Sequence, residues 1–126
     1  MIKVLNTTLW GREFSLPIIY DSLSDEIISM EQVKAVENFT QHLERVEMSK
    51  AKVEEYCKDD VMGDDENQKK DNVFSYIKPE TLFVERAKEY PCVAIMCKYR
   101  YDPEHGLAIV FSHDGEITVG SQDIIL

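Results

Sequence analysis

Apolar and polar positions alternate at both ends of this chain and recur at helical spacing in its middle. Near the N-terminus, Ile2, Val4 and Leu5 form a strand-like run, and Phe14, Leu16 and Ile18 alternate with Glu13, Ser15 and Pro17. Gly11-Arg12 between them reads as a turn, so residues 1–20 are expected to form a β-hairpin. Pro17 donates no ladder hydrogen bond, which places its strand at a sheet edge or ends it there. From Ser29 to Val61 the period changes. Ser29 followed by Gln32 is a capping-box signal, and Val33, Val36, Phe39, Leu43 and Val46 recur on one helical face. A break is expected at Met48-Ser49, with Ser49 capping a second helix whose buried stripe is Val53, Tyr56 and Cys57. Gly63 and the polar run 64–72 read as a mobile linker.

Alternation returns in residues 80–126. Leu82, Phe83 and Val84 form one candidate strand. Pro91 opens the strongest, Cys92 to Tyr101, with Val93, Ile95, Cys97, Tyr99 and Tyr101 on one face and Ala94, Met96, Lys98 and Arg100 on the other. Leu107 to Phe111 and Glu116 to Val119 flank His113-Asp114-Gly115, where Asp-Gly signals a hairpin turn. The apolar tail Gln122 to Leu126 is expected to dock on the core. Strands, then helices, then strands predict an α+β fold, a mostly antiparallel β-sheet with one or two helices packed on one face. With 126 residues the expectation is one domain spanning 1–126.

Charge changes the picture of possible partners. The net charge is -10, which excludes the basic footprint that nucleic acid requires and disfavours an anionic membrane surface. The acidity is concentrated: Asp21 to Glu66 holds 14 acidic and 5 basic residues, a net of 14 − 5 = 9 negative charges. Solvated faces of amphipathic helices account for such a pattern. The functional reading is an acidic surface that steers a basic protein partner, with Glu44, Glu47, Glu54, Glu55, Asp59 and Asp60 as the contact candidates.

Catalytic signals are sparse. Asp102, Glu104 and His105 form a candidate ligand loop between the two best strands, and such residues supply metal ligands or an acid/base pair. The same stretch, Asp102-Pro103-Glu104-His105-Gly106, also has the chemistry of a plain turn. No phosphate loop, histidine-pair helix or paired-cysteine zinc pattern occurs, so no cofactor and no metal are expected. Cys57, Cys92 and Cys97 are an odd set without a secretion signal, which points to reduced thiols. Cys92 and Cys97 read as buried and inert, on opposite strand faces; Cys57 sits among carboxylates that disfavour its thiolate. Ser15 and Ser112 lack a nucleophile-elbow context. The N-terminal apolar run is too short for a signal peptide and no stretch reaches membrane-spanning length, so a cytoplasmic location is expected.

The segment from Tyr101 to Leu126, with Asp102-Pro103-Glu104-His105-Gly106-Leu107-Ala108-Ile109-Val110-Phe111 and Val119-Gly120-Ser121-Gln122-Asp123-Ile124-Ile125-Leu126, resembles a family of small uncharacterised bacterial proteins, a domain of unknown function. Leu9-Trp10-Gly11 to Tyr20 is loosely similar too. The resemblance implies a bacterial, cytoplasmic, stand-alone domain and brings no catalytic residues. Some small acidic proteins of this kind are suspected immunity proteins. Two functions follow: a non-catalytic, immunity-type module binding a basic toxin through the acidic helices, or a small-ligand- or metal-dependent enzyme centred on Asp102, Glu104 and His105.

Overall fold

The computed structural model describes residues 3–21, 28–60, 76–86, 89–100 and 102–125. Strands β1 (Val4–Leu9) and β2 (Arg12–Tyr20) are followed by helices α1 (Met30–Gln41), α2 (Glu44–Met48) and α3 (Lys50–Asp60). Strands β3 (Ile77–Val84), β4 (Val93–Tyr99), β5 (Leu107–Phe111) and β6 (Ile117–Gly120) complete the sheet, and a 3-10 turn (Gln122–Ile124) closes the chain. The six strands lie in sequence order, and every neighbouring pair is antiparallel except β2 and β3, which run parallel. The architecture is the α+β class that the periodicities predict. A parallel pair needs a crossover, and the helices lie in the connection between β2 and β3.

The β1–β2 turn falls on Trp10-Gly11, one residue earlier than expected, because Leu9 pairs with Arg12. Both turn residues have positive φ, 53° at Trp10 and 84° at Gly11, as a twist-matched two-residue hairpin demands. Trp10 pays roughly 1–2 kcal/mol of backbone strain there, offset by packing of its half-buried ring on the main core.

Pro17 is not on an edge strand. β2 pairs with β1 through Arg12–Pro17 and with β3 through Ile18–Tyr20. Ile18 donates to the Lys3 carbonyl at 2.8 Å. By alternation, Pro17 then turns its nitrogen to the β3 side, where pairing starts only at Ile18. The missing donor is placed where no acceptor waits.

The helical stretch divides in three. A break at His42-Leu43, absent from the sequence reading, precedes the one at Ser49. Ser49 is buried, but its hydroxyl donates back to the Val46 carbonyl at 2.6 Å rather than accepting from the next helix. α1 starts as expected: the Ser29 hydroxyl accepts from the Gln32 amide, and the Gln32 side chain accepts from the Ser29 amide, both at 3.1 Å.

β3 begins at Ile77, ahead of the Leu82 start read from the sequence, with an irregularity between Pro79 and Thr81. β4 is shorter than expected, starting at Val93 and ending at Tyr99 with Arg100 already in a turn; Tyr101 lies outside the described residues. Residues 61–75, which contain the expected linker, are also outside the description.

The core has two sides. Under the helices, Val93, Ile95, Cys97 and Tyr99 of β4 join Leu107, Ile109 and Phe111 of β5, with Phe39, Val46, Val53 and Cys57 from the helical layer. On the opposite face Phe83, Ala94, Met96 and Ala108 pack with Ile125 from the tail. β4 is therefore buried on both faces, and each large apolar side chain so placed contributes about 1.5–3 kcal/mol. Cys92 and Cys97 do face opposite sides, but Cys92 is half-buried, not buried.

Candidate functional site

Of the six acidic contact candidates, Glu44, Glu47 and Glu55 are exposed and Glu54 is half-exposed. Asp59 and Asp60 lie in α3 with side chains outside the description. Glu44 faces His42 at 3.3 Å. Its pKa is lowered, chiefly by a hydrogen bond from its own backbone amide, with His42 adding to the effect. α2 also exposes Met48 at 64%, one helical turn from Glu44 and next to Glu47.

The Asp102–Gly106 loop joins β4 to β5 as a tight turn. Asp102 Oδ1 accepts from the His105 amide at 3.2 Å and lies 3.1 Å from His105 Nδ1. Gly106 donates to the Asp102 carbonyl at 2.8 Å. The other ring nitrogen of His105 lies 3.9 Å from Asp123. The hydrogen bond and charge of Asp102 raise the His105 pKa above its ordinary value. Glu104 is exposed and contributes only its charge to this arrangement. The loop also holds the tail: Gln122 donates through its backbone to the His105 carbonyl and through its side chain to the Cys97 carbonyl, both at 3.1 Å. Asp102 and His105 are thus brought together, but as a turn that anchors the C-terminal segment. Among the described residues no group of three or more His, Cys, Asp or Glu converges as a metal site does.

Cys97 and Cys92 offer little nucleophilic chemistry. Burial pushes the Cys97 thiol far up, with Glu80 adding to it. Cys92 is raised by burial and by Glu85. A raised pKa suppresses the reactive thiolate at neutral pH.

A concave site lies at the other end of the sheet. α1 crosses the strand ends there, fixed at its N-terminal end by hydrogen bonds from Gln32 to the Val84 and Glu85 carbonyls. Farther along, Phe39 meets Phe111 with ring centroids 5.0 Å apart. Between the helix flank and the β3–β4 and β5–β6 connections remains a cavity of about 290 Å³. Its floor is apolar: Phe39, Val93 and Phe111, with Ala35 and Pro91 beside them. Lys34, Asn38, Arg45, Ser112 and His113 supply polar groups, and Glu31 and Glu89 also line it. Tyr90 and His113 stack at 4.1 Å with their planes 18° apart. Ser112 bonds Asp114 in the same turn, which lowers the Asp114 pKa.

The family model described as Domain of unknown function (DUF6985) matches residues 2–126. The chain belongs to this family. No curated protein and no solved structure matches it. The DUF6985 match extends over the hairpin, helices and sheet alike. No described helix of this DUF6985 chain is long and apolar enough to cross a membrane.

Sequence reasoning missed the cavity of this DUF6985 domain. Its lining comes from α1, α2 and two connections far apart in sequence. A partial signal existed: Tyr90-Pro91 before the strongest strand and His113 in a hairpin turn put a ring beside a strand end at two separate places.

Proposed function

We propose that this protein is a non-catalytic binding module that engages a basic protein partner through the outer face of its helical layer. The observation that carries the reading is on α2, where Met48 stands 64% exposed among the exposed carboxylates of Glu44 and Glu47. An exposed methionine rimmed by like charges has the composition of a protein contact: an apolar anchor and charges that select the partner's sign. Glu37 on α1 and Glu55 on α3 are further exposed carboxylates of the same helical layer. Lys50 and Lys52 temper its acidity, so the carboxylates steer association while Met48 supplies contact area. An immunity-type role in a bacterial cytoplasm, with a basic toxin occluded by this face, is the specific form of the proposal.

The test is affinity capture from lysate of the encoding cells at low and high salt. The bait is the wild-type chain or a Glu44→Lys, Glu47→Lys, Glu55→Lys variant. One stoichiometric basic protein, captured less at high salt and lost with the variant, is expected. Undiminished capture by the variant overturns the surface assignment, and capture of no partner under either condition overturns the protein-binding reading.

A further inference from the structure

The cavity beneath α1 is a different surface from the acidic face, and its chemistry calls for a different ligand. Its volume of about 290 Å³ is at the lower end of small-ligand sites, room for one ring with a short side chain. Phe39, Val93 and Phe111 form the floor, each no more than 3% exposed. They belong to the main core, so the floor is preformed rather than assembled on binding.

The cationic groups decide the ligand's charge. Lys34 and Arg45 both line the cavity, and no described carboxylate lies within ion-pair distance of either. Arg45 is half-buried, so its field inside the cavity is less screened than that of a surface charge. Glu31, Glu89 and the adjacent Glu44, which Arg45 already stabilises, oppose it, but all three are exposed and water screens them, as it screens Lys34, so the half-buried Arg45 is the cation that counts. A guanidinium beside an apolar floor matches a carboxylate, which it can hold through two parallel hydrogen bonds. Tyr90 and His113, stacked on each other, add aromatic rings to the lining of the cavity.

We propose that this cavity binds a small monocarboxylate with one aromatic ring, the ring in the apolar end bounded by Ala35, Pro91 and the edges of Phe39 and Phe111 and the carboxylate on Arg45, with Lys34 as a second cation. Three probes test it on the full chain by NMR titration and calorimetry: phenylacetate, its neutral isostere phenylacetamide, and phenethylammonium. Phenylacetate is expected to bind with a Kd of about 1 mM or tighter, the range of a probe this small. It should shift the amides of Phe39, Val93 and Phe111. Phenylacetamide and phenethylammonium should bind roughly tenfold more weakly, as should phenylacetate to Arg45→Gln, through loss of the charge-assisted contact. Should Arg45→Gln fail to fold, Lys34→Gln replaces it and must also weaken phenylacetate selectively. No binding of phenylacetate, equal binding of the amide or the amine, or shifts away from these amides overturns the proposal.

Discussion

Replacing Gln32 with glutamate separates two accounts of the same residue. As a capping-box residue alone, Gln32 exchanges with Glu at no cost, and a negative charge in the first turn of a helix is favourable. In the folded chain Gln32 is 2% exposed and its amide nitrogen faces three carbonyl oxygens. It donates to Asp21 at 2.7 Å, with Val84 and Glu85 each at 3.4 Å. Glutamate keeps the acceptor for the Ser29 amide but directs a carboxylate at those oxygens. Losing the short hydrogen bond costs about 1 kcal/mol, and an ill-matched buried charge adds at least about 2, so Gln32→Glu should lose roughly 3–4 kcal/mol at neutral pH. Gln32→Ala, which forfeits the two short hydrogen bonds without adding charge, should lose roughly 2–3 kcal/mol. Urea denaturation at pH 7 followed by circular dichroism measures both. The surrounding carbonyls raise the folded-state pKa of the new carboxyl. Its penalty is therefore full above that raised pKa and vanishes below the unfolded value near 4, so the gap to wild type must narrow with acid. If Gln32→Glu falls within about 0.5 kcal/mol of wild type at pH 7, Gln32 acts only as a helix cap and the reasoning fails.

Two glycines with positive φ should respond unequally to alanine. A Cβ at Gly11 meets nothing within 4 Å, so Gly11→Ala should cost only the backbone strain of about 1–2 kcal/mol. At Gly106 a Cβ falls 2.7 Å from the Cys97 carbonyl oxygen and 2.6 Å from Gln122 Nε2, so Gly106→Ala should cost more in the same denaturation assay; equal losses would contradict the close approach. An NMR pH titration should find the His105 pKa above its ordinary value and closer to it in Asp102→Asn. Because the folded pKa is raised, the pair's stabilisation is complete below the unfolded histidine value and is lost as pH rises through the folded one. In the native protein a disulfide thiol reagent should modify Cys92 first, since it is half-buried while Cys57 and Cys97 are buried; simultaneous reaction of all three would contradict that ordering.

What the sequence by itself determined is local. Ser29 and Gln32 announce the start of α1 because both halves of a capping box lie within one turn. Residues 93–99 declare their two faces through period-2 alternation, and Asp114-Gly115 announces the last hairpin. The α+β class follows from the order of these periods. The sequence also marked Asp102-Pro103-Glu104-His105-Gly106 as a turn, and the structure adds that this turn holds Gln122 through the His105 and Cys97 carbonyls. Only the tertiary structure decided the parallel pairing of Ile18–Tyr20 with Leu82–Val84, which depends on where a long crossover returns. It alone made Gln32 a hub between α1, Asp21 and the end of β3, since the three carbonyls it serves are up to 53 positions away. It alone formed the cavity between α1 and two connections. Periodicity reports which face of an element is apolar; what that face meets depends on contacts between distant segments, which no local pattern contains.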